Sequence, residues 1–109
     1  MTDARERLPN RRGSVSFEFK HSGIAYVATY SRYADGRLAE VFLNGEKLNT
    51  GSDIMACDGA KAASLALQYG CPVDDLRATL TRTETDGAAG PLAVALDLIA
   101  ADHRPLRAA

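Results

Sequence analysis

The chain has 109 residues, 46% of them hydrophobic and 25% charged, the balance of one globular domain rather than a disordered or fibrous chain. No apolar run approaches the ~20 residues that a bilayer-spanning helix needs. Thirteen basic against fourteen acidic side chains leave a formal charge of −1, without the basic excess expected of a non-specific nucleic-acid binder.

Residues 1–13 are polar and Arg-rich and form an N-terminal arm. Its basic residues have no apolar stretch behind them, so it is not expected to be a secretory signal. A single domain is expected over 14–102, with a short tail over 103–109. In Ser14-Val15-Ser16-Phe17-Glu18-Phe19-Lys20 the apolar residues alternate without a break, the period of a half-buried strand. Ser22-Gly23 and Asp35-Gly36 are both two-residue hairpin signals, because glycine readily takes the positive φ such turns require. The first turn then pairs Phe19 with Tyr26, Phe17 with Ala28 and Val15 with Tyr30. The second pairs Tyr30 with Val41 and Ala28 with Leu43. Both turns agree in placing Val15, Phe17, Phe19, Tyr26, Ala28, Tyr30, Ala39, Val41 and Leu43 on one face. Ser14, Ser16, Glu18, Lys20, Thr29, Ser31 and Glu40 fall on the other. A slip of one residue in either turn would invert a strand and destroy this separation.

Gly51-Ser52-Asp53 reads as a helix start, with Ser52 or Asp53 capping free amides. The helix predicted over Ile54 to Tyr69 carries Ala56, Ala60, Ala63 and Leu67 in one row and Met55, Ala62, Ala66 and Tyr69 in another. Only Asp58, Lys61 and Gln68 form a polar stripe, so burial on most sides is expected. Gly59 inside it costs about 1 kcal/mol relative to alanine, for which close packing is the expected reason. Gly70 ends the helix, and Pro72 suits the first turn of a short helix running from Val73 to about Leu80. A polar loop from Thr81 to Ala89 precedes a last helix from Pro91 to Ala101, presenting Leu92, Ala95, Leu96 and Ile99. The expected fold is α+β: a three-stranded antiparallel β-meander with two to three helices packed on one face.

The candidate chemistry is sparse. Cys57 and Cys71 lie at opposite ends of a helical segment spanning about 20 Å, whereas a disulfide needs Cα atoms within about 7 Å. Both read as small buried hydrophobes, with one reactive thiol as the alternative. Two cysteines are too few for a disulfide scaffold or, by themselves, a structural zinc site, which points to a reducing cytoplasm. His21 at the first turn and His103 in the tail have no acid or nucleophile placed beside them and read as solvated. Asp74-Asp75 sit in the first turn of a helix, where acids favour the dipole, rather than forming a metal pair. No catalytic residue, no metal site and no bound cofactor are expected. Two surfaces are candidates for contact. One is the patch where Val27, Leu38 and Phe42, with Ala25 nearby, interrupt the polar sheet face; cover by the arm or simple exposure is the alternative. The other is the arm itself, with Arg5, Arg7, Arg11 and Arg12 against Asp3 and Glu6, which reads as solvated or as the site of an acidic protein partner.

Arg7-Leu8-Pro9, Arg11-Arg12-Gly13, the stretch Asp35-Gly36-Arg37-Leu38-Ala39-Glu40-Val41-Phe42-Leu43 and the stretch Ser64-Leu65-Ala66-Leu67-Gln68-Tyr69-Gly70-Cys71-Pro72-Val73-Asp74-Asp75-Leu76 occur in that order. Together they resemble the TSCPD domain, in the version found near the C-terminus of adenosylcobalamin-dependent ribonucleotide reductases. The likeness runs from about Arg7 to Ile99. Where the family carries its Thr-Ser-Cys-Pro-Asp stretch, this chain reads Ala88-Ala89-Gly90-Pro91-Leu92, so any role of that cysteine and aspartate does not carry over. Cys71 replaces an aliphatic residue, and Arg104 to Ala109 lack the terminal redox cysteine pair. In the reductases the radical cysteine, the substrate pocket and the cobalamin site belong to a separate, much larger barrel.

The resemblance therefore implies a freestanding module associated with ribonucleotide reduction that acts by binding, with a ribonucleotide reductase or a second copy of itself as partner and adenosylcobalamin left to the full-length enzymes. The alternative is a small-ligand or nucleotide-binding protein, enzymatic or not, that reuses the domain. A nucleic-acid-binding regulator is the weaker third reading.

Overall fold

The alternation from Val15 onward becomes a three-stranded antiparallel sheet of β1 (Val15–His21), β2 (Ile24–Arg32) and β3 (Leu38–Gly45), in that order across the sheet. Three helices follow, α1 (Gly51–Gln68), α2 (Val73–Thr79) and α3 (Pro91–Ala101). The computed structural model describes residues 4–47, 50–85 and 87–102; the tail, with His103, lies outside them. The fold is the expected α+β meander, its helices gathered on one sheet face.

The first turn is as short as its sequence implies. Ser22 and Gly23 have φ of 52° and 77°, the two left-handed positions of a tight hairpin turn that matches strand twist. It pairs Val15 with Tyr30, Phe17 with Ala28 and Phe19 with Tyr26, while the second hairpin pairs Tyr30 with Val41 and Ala28 with Leu43. All five pairs are those the two turns predict.

The second hairpin departs from expectation near its tip. Ser31 faces Glu40, but Arg32 faces Leu38, so one extra residue is accommodated in β3. Tyr33 N–H donates to Arg37 O at 2.8 Å and Gly36 N–H to Tyr33 O at 2.9 Å, closing a wider loop. An extra residue on one strand reverses the facing of what lies beyond it. Leu38, expected on the outer face, is therefore 4% exposed and part of the core. Ser31 and Glu40, also expected outside, are buried as well.

The core joins Tyr26, Ala28, Tyr30, Val41 and Leu43 of the sheet to Ala56, Ala60, Ala63 and Leu67 of α1 and to Ala95, Leu96 and Ile99 of α3. Phe17 meets Tyr30 edge-on at 6.1 Å between ring centres, and Phe19 stacks on Tyr26 at 5.6 Å. The alanine row lets α1 approach β3 closely. Its cap is Thr50, whose side chain accepts from Asp53 N–H, not Ser52 or Asp53 as expected. Nor is α1 buried on most sides: Met55 is 77% exposed, and Ile54 and Leu65 are exposed too. The rest of the sheet is met by α3, which leaves Val15, Phe17 and Phe19 of β1 partly buried. A Cβ on Gly59 would lie 3.6 Å from Leu92 Cδ2, ordinary contact, so packing does not demand glycine there. Pro72 is the N-cap of α2 rather than its first helical residue. At the far end of α3, Arg32 donates to the carbonyls of Ile99 and Asp102 at 3.2 and 3.3 Å, a second donor on Ile99 O beside Asp102 N–H. Among the described residues, no helix is long and apolar enough to cross a membrane.

Candidate functional site

The outer sheet face divides into a covered end and an open end. At the open end Val27 is 42% and Phe42 44% exposed. Val27 sits between Glu18 and Asn44, and Thr29 between Ser16 and Phe42, which makes Val27 and Phe42 diagonal neighbours on adjacent strands. Leu38 does not join them, since the bulge turns it into the core. The predicted patch is thus two residues, flanked by Ser16 and Thr29 hydroxyls 2.7 Å apart.

At the covered end the N-terminal arm is docked rather than solvated. Glu6 N–H donates to Gln68 O at 2.7 Å and Tyr33 Oη to Glu6 O at 2.5 Å. Arg37 reaches the Glu6 carboxylate at 3.0 Å and stacks over the Tyr33 ring at 4.6 Å. Burial, then the Glu6 charge, pushes the Tyr33 hydroxyl above its usual pKa. Arg12 grips Glu40 through two bonds, Nε at 2.6 Å and Nη2 at 3.0 Å, the fork geometry that makes arginine–carboxylate pairs strong. This bond raises the already high Arg12 pKa. Arg12 is therefore committed to the fold, whereas Arg7 and Arg11 are exposed and remain on the candidate surface.

On the helical side a cleft of about 350 Å³ opens between the first turns of α1 and α3, lined by Tyr26, Met55, Gly59, Leu80, Pro91 and Leu92 among others. Its rim includes the Gly90-Pro91-Leu92 stretch at the start of α3. A smaller cleft of about 230 Å³ is lined by Arg37, Cys71 and Asp74. His21, expected to be solvated, is half-buried, and its Nε2 lies 3.1 Å from Ala89 O. This contact tethers the 81–89 loop to the end of β1. Cys57 and Cys71 are free, half-buried thiols. Asp74 pairs with Arg77 one turn along α2, at 3.2 Å. Among the described residues, no group of three or more His, Cys, Asp or Glu side chains converges on a point that could hold a metal ion.

Sequence reasoning missed a cluster of buried polar side chains on α1. Ser64 Oγ accepts from Val41 N–H and donates to Val41 O, both at 2.9 Å. Gln68 donates to Ala39 O at 3.2 Å and accepts from Arg5 at 2.5 Å, and Asp53 accepts from Gly45 N–H at 2.8 Å. The available signal was spacing: Ala60, Ser64 and Gln68 recur every four residues, so a polar pair continues the buried alanine row. Reading Gln68 as part of a solvent stripe overlooked this. Also missed was the triad in which Asp97 of α3 accepts from Arg77 at 2.9 Å and Arg82 at 2.6 Å.

No protein-family model matches the chain, and no solved structure does. It is 32% identical over 84 residues, 77% of its length, to the vitamin B12-dependent ribonucleotide reductase of Agrobacterium fabrum. It is 33% identical over 88 residues, 81% of its length, to the vitamin B12-dependent ribonucleotide reductase of Bradyrhizobium diazoefficiens. In both cases the chain spans 7% of the relative's length. Over most of its own length, then, the chain is similar to one small segment of vitamin B12-dependent ribonucleotide reductases.

Proposed function

We propose that the chain is a TSCPD-like binding module of ribonucleotide reduction, which docks on a vitamin B12-dependent reductase and performs no catalysis itself. The observation that carries this reading is the relation between the match and the fold. A match spanning 7% of each reductase covers about four fifths of a chain that closes its own hydrophobic core. A unit of this kind offers a scaffold and a surface. The contact we favour is the outer face around Val27 and Phe42, and the second choice is Arg7 and Arg11 of the arm, both exposed. What supports this choice is that Val27 and Phe42 are exposed apolar neighbours on an otherwise polar sheet face. The same reading leaves cobalamin to the reductase and sets the module in the cytoplasm.

The test is to titrate the purified chain into the cell's own B12-dependent reductase and follow binding by calorimetry. Deoxynucleotide formation is measured in parallel with adenosylcobalamin and a dithiol. Binding is expected for the native chain and a loss of binding for Phe42→Asp, with no turnover by the chain alone. Failure of the native chain to bind, or turnover without the reductase, would refute the reading. Undiminished binding by Phe42→Asp would remove the proposed surface. A second reading, small-ligand binding, is favoured by the cleft beside Tyr26, whose size falls within the range of small-molecule sites. A thermal-shift screen with nucleotides and cobalamin separates the two.

A further inference from the structure

We propose that β1 is a self-association edge. Two copies of the chain pair their β1 strands antiparallel about a two-fold axis, joining two three-stranded sheets into one of six strands. This goes beyond the reductase-docking reading and uses a different part of the surface, so the two stand or fall separately.

The hairpin geometry fixes which backbone groups β1 offers. With a two-residue loop, His21 and Ile24 form the closing pair, and in antiparallel ladders such pairs exchange both backbone bonds. Alternation then gives the backbone groups of Val15, Phe17, Phe19 and His21 to β2 and turns those of Ser16, Glu18 and Lys20 outward. Among the described residues, no backbone bond from outside the sheet reaches these three. The β1–β2 ladder runs without a bulge, and β1 contains no proline. Of the usual devices that blunt an edge strand, bulge and proline are missing from β1, while the charges of Glu18 and Lys20 are present. On the inner side Val15, Phe17 and Phe19 are only partly buried against the core, leaving an apolar ledge along the edge.

Charge selects the occupant and the register. Keeping inner faces together restricts the two-fold axis to a few positions, because opposed residues must share a face. An axis at Glu18 sets Glu18 against its own copy. An axis at Phe17 opposes Glu18 to Ser16 and Lys20 to Ser14, leaving both charges unmatched. An axis at Phe19 places Glu18 opposite Lys20 twice, Phe19 opposite Phe19, and Phe17 opposite His21. In that register the outward-turned groups of Glu18 and Lys20 bond across the seam while Phe19 covers its counterpart. Within one chain both charged side chains are exposed and neither takes part in an ion pair among the described residues. Opposite charges directly across a strand pair stabilise it, and like charges destabilise it.

The experiment is sedimentation equilibrium of the native chain, Glu18→Lys, Lys20→Glu and the double exchange across a dilution series. Circular dichroism confirms that each variant is folded. A concentration-dependent dimer is expected for the native chain, weakened about tenfold or more by either single reversal and restored by the double exchange. Amide exchange adds a position-specific readout, with protection at Glu18 and Lys20 rising with concentration while Phe42 is unchanged. A native chain that stays monomeric throughout would overturn the proposal. So would a dimer indifferent to the single reversals, which would place self-association on another surface such as Val27 and Phe42.

Discussion

The two edges of the sheet are treated in opposite ways. Along β3, α1 lies close enough for Asp53, Ser64 and Gln68 to bond directly to the backbone at Gly45, Val41 and Ala39. Along β1 no comparable side chains reach the outer backbone groups among the described residues, and the inner aromatics are only partly covered. The helix that touches β1, α3, is instead tied to α2 and to Arg82 through Asp97. An edge strand is closed by side chains only where small residues let a helix come near it. The alanine row of α1 meets that condition at β3.

The largest effect that would test this contrast is truncation on the closed strand. Leu43→Ala should cost about 2–5 kcal/mol, the range for fully buried leucines. Phe17→Ala on the open strand should cost less than the ~3–5 kcal/mol of a fully buried phenylalanine, because its ring is only partly covered. Urea denaturation measures both, and a Phe17→Ala cost of about 5 kcal/mol would mean that the open edge is as fully packed as the closed one.

The next effect probes the closure itself. Ser64→Ala leaves Val41 N–H and C=O buried without their partner, and it should cost about 1–3 kcal/mol. Amide exchange at Val41 should quicken in this variant. An unchanged midpoint and an unchanged Val41 amide would show that the edge is closed by packing rather than by the hydroxyl.

The smallest effect concerns the ion pairs on the open side. The hydrogen bond from Arg82, then that from Arg77, holds the Asp97 carboxyl below the usual carboxylate range. The unfolded chain therefore takes up a proton more readily than the folded one in mild acid. The resulting stability is present above the unfolded-state pKa of about 4 and is lost as pH falls through the lowered folded value. Asp97 is partly exposed, so Asp97→Asn should cost no more than about 1 kcal/mol at neutral pH. Its melting temperature should converge on that of the native chain in acid. A gap that persists or widens below that range would assign the effect to packing instead.

The strands, their register and the inner face were readable from the sequence because a two-residue period and two glycine turns make independent demands that had to agree. The last helix was readable from Pro91 and its apolar run. The candidate patch was only partly readable. Val27 and Phe42 sit where alternation puts them, but Leu38 lies beyond a bulge that no local pattern announces. The arm looked solvated because Arg12 and Glu40 are 28 residues apart, and nothing local marks such a pair.

The sequence by itself determined what short-range periodicity and turn chemistry control: strand pairing up to the bulge beside the second turn, the order of elements, and most residues of the core. Tertiary structure alone decided which polar side chains are buried. Gln68, Ser64, Asp53 and Glu40 read as surface residues by composition, since a polar group is costly to bury without a partner. Their partners are backbone groups of another strand or an arginine of the arm, brought within reach only once α1 packs on β3 and the arm crosses the sheet. The open edge of β1 is likewise a tertiary result: among the described residues, no backbone bond from outside the sheet reaches Ser16, Glu18 or Lys20.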